Sequence, residues 1–118
     1  MSTPEVKAKR VIQKLLKEFR DRGVKMKLVW NAGAAYGAAT VDCTGAIAGY
    51  PVAIEVKRFD GRNKVTARQL ADLREFRDAG AMTMVVDSED ALAHLADFLR
   101  YAERVPAPAP GVDWSIGL

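Results

Sequence analysis

The sequence predicts an α/β fold: a mixed sheet flanked by helices, in the order helix, three strands, helix, strand, with a further C-terminal helix. Three observations predict it. An apolar stripe at helical spacing (Ala8, Ile12, Leu15, Leu16, Phe19) opens the chain. Two segments with strand periodicity then share a turn across residues 40–57. Finally, a strand, a helix and a strand follow one another between residues 50 and 86, which implies a parallel pair joined by a right-handed crossover. The 118 residues, 49% of them hydrophobic and 28% charged, fit one globular domain with a real core. That domain is expected over residues 1–105, with a Pro/Ala linker and a tail at 106–118.

Taken in order, Thr3 caps and Pro4 opens a first helix over residues 4–22, which Gly23 ends. Glu5 shares the stripe of Ile12 and Leu16, because about 3.6 residues make one turn. An acid at the leading end of a core-facing stripe either meets the helix dipole or reaches into a cleft as a ligand. Lys7, Lys9, Lys14 and Lys17 occupy other faces, where they can meet phosphate. Residues 24–30 alternate Val24, Met26, Leu28 and Trp30 against Lys25, Lys27 and Val29, the pattern of a half-buried strand. The small-residue stretch 31–39 reads as a loop. It either lets a nucleic-acid backbone come close, with Tyr36 to stack, or only connects. It lacks the GxxxxGK[ST] spacing of a phosphate-binding P-loop.

Residues 40–57 read as a hairpin turning near Ala48, Gly49 and Tyr50. Side chains two apart on a strand share a face. With Val41, Cys43, Val52, Ile54 and Val56 turned to the core, Asp42, Glu55 and Lys57 meet on the other side, between a buried layer and solvent. A basic, turn-rich loop at 59–65 leads into Thr66-x-x-Gln69, a capping box opening a helix to about residue 79, with Gly80 just past its end. Leu70, Leu73 and Phe76 form its apolar face. Gln69 shares that face, either for capping alone or for a role at the cleft. Residues 81–86 read as a buried strand. Asp87 or Ser88 caps the last helix, which runs to residue 104 with Leu92, Leu95, Phe98 and Leu99 inward. The stretch PAPAP at 106–110 is an extended linker, and the apolar tail packs back on the domain or on a second subunit.

Two neighbouring carboxylates with open coordination suit Mg²⁺, a hard cation that prefers oxygen ligands. Such a site activates water and neutralises charge building up on a phosphate. The adjacent Lys57 is a compact cation able to hold water or phosphate, or to stabilise an oxyanion. Charge is unevenly spread: residues 1–30 carry nine Lys/Arg against three Asp/Glu, and residues 81–118 carry two against six. A basic front and an acidic back point either to a face for a polyanion or to a solvated helix surface. No apolar run approaches the roughly 20 residues of a membrane helix. The opening residues carry no apolar signal core, and one cysteine allows neither an internal disulfide nor a cysteine-based zinc site, so a cytoplasmic setting is expected. A single histidine, His94, argues against HNH-type and Ser-His-Asp chemistry.

The run VDCTGAIAGYPVAIEVKR, followed by TARQL, resembles the PD-(D/E)XK nuclease superfamily. The glycine-flanked acid, the hairpin, IEVK, the downstream glutamine and the later Gly80-Ala81 strand are most similar to its VRR-NUC branch. They are also similar to the Holliday-junction resolvases of the same superfamily. The resemblance spans about residues 3–100. Val41 stands where the motif's name has proline, a residue that ligates nothing. The resemblance implies a restriction-endonuclease-like α-β-β-β-α-β core. It implies that Asp42 and Glu55 hold Mg²⁺ (Mn²⁺ substituting), helped by the Val56 carbonyl, and that Glu5 contacts the metal through water. Lys57 would orient or activate the hydrolytic water, and Gln69 would assist substrate or lysine placement. It further implies a homodimer, which puts two active sites on two strands. Lys7, Lys14, Arg58, Arg62, Lys64 and Arg68 are the residues expected to contact nucleic acid.

The leading expectation is therefore a Mg²⁺-dependent endonuclease acting on DNA, with branched or junction DNA among the candidate substrates. The alternative from another class is a non-catalytic nucleic-acid-binding module that keeps the nuclease fold. A third reading is a protein-interaction subunit acting through its tail.

Overall fold

The computed structural model describes residues 3–31, 41–62, 64–107 and 111–118. Helix α1 (Pro4–Asp21) begins where the Thr3 hydroxyl accepts the Val6 N–H at 3.2 Å, and it buries Ala8, Ile12, Leu16 and Phe19 as one stripe. Strands β1 (Met26–Trp30), β2 (Cys43–Ile47) and β3 (Tyr50–Val56) follow, then α2 (Ala67–Asp78), β4 (Met82–Val86) and α3 (Glu89–Arg104). The sheet order is β1-β2-β3-β4. The first two pairings are antiparallel and the third is parallel, so the sheet is mixed, as the element order predicts.

The first strand starts two residues later than its alternation indicates. The Val24 N–H bonds the Phe19 carbonyl at 3.0 Å, so this buried valine finishes the helix rather than opening the ladder. The hairpin turns through Ala48 (φ 49°) and Gly49 (φ 86°), the paired positive φ values of a two-residue turn that matches strand twist. That turn sets Ile47 opposite Tyr50, and every later pairing inherits the register. Thr66 and Gln69 form the expected capping box, and of the two possible caps for α3 it is Ser88 that accepts the Ala91 N–H.

The sheet buries both faces. On one, Cys43, Ile47, Val52, Ile54, Val56, Met82, Met84 and Val86 pack with the stripes of α1 and α3. On the other, Ala53 and Val85 pack with Leu73 of α2. Val41 belongs to this second group, not to the first as strand alternation predicts. The chain bends at Asp42 before β2 begins, and strict alternation holds only within the hydrogen-bonded strand. The loop expected at 31–39 and its Tyr36 lie outside the described residues, apart from Asn31.

The tail lies along β4. Ile116 forms a parallel bridge with Met84, donates to the Thr83 carbonyl at 2.9 Å and accepts the Val85 N–H at 3.2 Å. Trp114 packs among His94, Phe98 and Tyr101 of α3. The tail thus supplies backbone partners to the outer edge of β4, an edge otherwise open to pairing with another chain. Within the linker, the Ala107 N–H bonds the Ala48 carbonyl at 3.0 Å, and residues 108–110 lie outside the described set. Among the described residues no helix is long and apolar enough to cross a membrane.

Gly45 sits opposite Leu28, and a Cβ there would overlap the Lys27 carbonyl oxygen, which is backbone and cannot swing aside. Gly45→Ala is expected to cost about 4 kcal/mol or more, the range of severe steric lesions. Equilibrium denaturation of the variant against wild type measures it, and a loss under about 1 kcal/mol would contradict this close approach.

Candidate functional site

Four pieces of chain meet at one end of the sheet: the second turn of α1, the entry to β2, the end of β3 and the start of α2. Cys43 pairs with Ile54, so the next positions outward are Asp42 and Glu55. The two acids lock each other through the backbone. Glu55 Oε1 accepts the Asp42 N–H at 3.1 Å, and Asp42 Oδ2 accepts the Val56 N–H at 2.8 Å. Asn31 steadies the approach to Asp42: its amide donates to the Val41 carbonyl at 2.6 Å and its own N–H bonds the Asp42 carbonyl at 2.8 Å.

The remaining carboxylate oxygens meet side chains. Gln69 Nε2 donates to Glu55 Oε2 at 3.1 Å, and Lys57 Nζ stands 3.5 Å from the same oxygen. Lys9 Nζ reaches from α1 to within 3.4 Å of Asp42 Oδ1. Gln69 is both cap and cleft residue, since its Oε1 accepts the Thr66 N–H at 3.0 Å while its amide nitrogen serves Glu55. One side chain therefore ties the start of α2 to the end of β3. Lys57 is held just past β3 by its N–H, which bonds the Val86 carbonyl at 3.0 Å.

Glu55 and Lys57 are buried, not half-exposed between core and solvent as the hairpin alone indicates. The hairpin leaves that face open, and α2 packs over it through Leu73. Burial pushes the Glu55 carboxyl up to about 7, and the nearby Asp42 charge pushes the same way. The Asp42 N–H and the Lys57 ammonium pull it back in part. Burial, followed by the Asp42 charge, raises the Cys43 thiol to about 12, so this cysteine stays a neutral strand residue at ordinary pH. His94 lies away from the site, its Nε2 2.8 Å from the Trp114 carbonyl oxygen.

Asp42 and Glu55 suit a divalent cation by their chemistry: two carboxylates face each other out of water, and their mutual repulsion is what such an ion relieves. Val56, whose carbonyl is the third expected ligand, is held beside them by its bond to Asp42. Glu5 is not gathered with them. It is half-buried one turn before Lys9, and among the described residues no group of three or more His, Cys, Asp or Glu side chains could hold a metal.

The expected nucleic-acid contacts divide. Arg62, Lys64 and Arg68 are exposed on the loop and first turn leading to Gln69. Arg58 is engaged by Asp60, its Nη2 2.6 Å from Oδ2, while the Arg62 N–H reaches Asp60 Oδ1 at 3.1 Å. That N–H first, and then the Arg58 side chain, hold the Asp60 carboxyl below its usual range. Lys7 and Lys14 line hollows on the α1–α3 side, Lys7 beside Asp60 and Glu89, Lys14 beside Glu18 and Glu89. The sequence by itself places Lys9 only among general phosphate contacts and gives Asn31 no role. The one signal for Lys9 is its spacing, four residues beyond Glu5 and so on the same side of α1.

No protein-family model, curated protein or solved structure matches this chain.

A carboxyl raised in the folded state binds its proton more tightly there than in the unfolded chain. Its effect on stability is therefore most favourable at low pH and fades as pH rises from about 4.5 to about 7. Glu55→Gln mimics the protonated acid and cannot titrate. In EDTA, the melting temperature of Glu55→Gln relative to wild type is expected to rise across that window. Thermal melts from pH 4 to pH 8 check it, and parallel curves for the two proteins would contradict the shift.

Proposed function

We propose that this chain is a Mg²⁺-dependent endonuclease hydrolysing DNA phosphodiester bonds, with branched or junction DNA among its candidate substrates. The observation that carries the reading is the meeting of Asp42, Glu55, Lys57 and Gln69 at one corner of an α-β-β-β-α-β core. Asp42, Glu55 and the Val56 carbonyl would hold Mg²⁺, with Mn²⁺ as substitute. The bound cation would supply water activation and charge neutralisation at the phosphate. Lys57 is buried and anchored by Glu55, so its ammonium would offer a fixed charge to a bound phosphate, to orient water or stabilise an oxyanion. Gln69 keeps Glu55 Oε2 in place. Arg62, Lys64 and Arg68 would track the backbone phosphates, a contribution that falls with salt. A homodimer, with one site for each of two strands, and a cytoplasmic setting belong to the same proposal.

One observation favours a second reading, a non-catalytic nucleic-acid-binding module. Each carboxylate already faces a lysine, so the corner is close to neutral by itself.

Nicking assays with Mg²⁺ or Mn²⁺ on single-stranded, duplex, flapped and four-way DNA separate the two. Wild type is expected to cleave at least one of these, and Asp42→Asn or Glu55→Gln to lose about 100-fold or more, since even groups supporting a metal ligand cost about 10–100-fold. Cleavage at the wild-type rate by purified Glu55→Gln overturns the nuclease reading. Salt-dependent DNA binding without metal-dependent nicking on any of the four selects the binding module.

A further inference from the structure

Lys9 and Lys57 each face one carboxylate of the pair, but the two lysines are not equivalent. The Lys57 side chain is 7% exposed and its backbone is tied to Val86. The Lys9 side chain is 30% exposed and reaches Asp42 from a different element, α1. A lysine stem that open to water can swing its ammonium outward at little cost, whereas the buried one cannot leave without stranding a charge.

The oxygens themselves point the same way. Asp42 Oδ2 is occupied by the Val56 N–H, Glu55 Oε1 by the Asp42 N–H, and Glu55 Oε2 by Gln69 and Lys57. Asp42 Oδ1 meets Lys9, the more exposed of the two lysines. It is the carboxylate oxygen most easily given up to an incoming cation, and giving it up means moving Lys9. An ammonium and a divalent ion on one oxygen repel strongly in a partly dry corner.

Resting on the proposed metal-binding role of Asp42 and Glu55, we infer that Lys9 is a tethered counter-ion of the site. It holds Asp42 Oδ1 until a divalent cation displaces it, and the released ammonium then takes up a phosphate of the bound nucleic acid. Lys9 thereby weakens metal binding in the absence of nucleic acid and strengthens nucleic-acid binding once the metal is in place. By linkage the two ligands favour each other, with Lys9 as the element whose position both of them bias. This role differs from that of Lys57, which stays with Glu55 throughout.

The test is calorimetric titration of Mn²⁺ into wild type, Lys9→Met, Lys9→Arg and Asp42→Asn without DNA. A companion measurement is the salt dependence of binding to a short DNA duplex in Ca²⁺. Lys9→Met keeps most of the stem but not the charge, and is expected to bind Mn²⁺ about three- to tenfold more tightly than wild type, the scale of one nearby charge removed. Lys9→Arg keeps the charge and stays near the wild-type value. The slope of log affinity against log salt is expected to shrink by about one in Lys9→Met, because one phosphate fewer is neutralised. Mn²⁺ affinity that is unchanged or weaker in Lys9→Met, while Asp42→Asn loses it, overturns the role of Lys9 and leaves the metal centre standing. An unchanged salt slope overturns the pairing of Lys9 with phosphate. If wild type, Lys9→Met and Asp42→Asn all fail to bind Mn²⁺, the metal-centre reading falls, and the inference about Lys9 with it.

Discussion

Two backbone hydrogen bonds at the open end of the hairpin hold this structure's polar corner together. The N–H of Asp42 goes to Glu55, and the N–H of Val56 goes to Asp42. Each acid thus satisfies a main-chain donor on the strand opposite its own. The effect is to continue the β2–β3 pairing past Cys43 with side chains in place of carbonyls. Charged acceptors make stronger hydrogen bonds than neutral ones, so the substitution is favourable once the carboxylates are ionised and paired. It also takes Glu55 out of water beside a like charge, and burial first and the Asp42 charge second raise the Glu55 carboxyl.

The rest of the molecule compensates for that concentration of charge. Lys57 stays within 3.5 Å of Glu55 because its own backbone is bonded to β4. Gln69 arrives because a capping box fixes its side chain at the first turn of α2, and Leu73 seats α2 on the sheet. Lys9 arrives because Ala8 and Ile12 press α1 onto the opposite face, leaving the next residue free to reach round to Asp42. Two helices therefore depend on the ordinary apolar core for the placement of one polar side chain each, while a backbone hydrogen bond places Lys57.

The two sheet edges are treated differently. The tail covers β4 through Ile116, while β1 carries Lys27 beside an exposed Val29, with Lys25 just before it. Lysines at and beside an edge strand discourage pairing with another chain. The exposed basic residues Arg62, Lys64 and Arg68 lie in sequence beside Gln69, whose amide meets Glu55. That adjacency is what an enzyme acting on a polyanion needs, and equally what a module that only binds one needs.

Much of this was legible in the residues. The caps at Thr3 and Thr66–Gln69, the stripe of α1, a turn near Ala48, Gly49 and Tyr50 (of which Tyr50 in fact opens β3) and the apolar run of β4 are local signals, each decided by neighbours a few positions away. Strand alternation was enough to bring Asp42, Glu55 and Lys57 to one side of the hairpin, and the exact register came from the two-residue turn that sets Ile47 opposite Tyr50. The tertiary structure decided what depends on elements landing on one another. Val41 turned to the second core because the chain bends before the ladder begins. Glu55 and Lys57 became buried because α2 packed over them. Lys9 found Asp42 through the rotation of α1 about its own axis, a quantity set by the whole apolar interface and by no motif. Local periodicity thus determined which groups exist on each face, and long-range packing determined how dry they are and whom they meet.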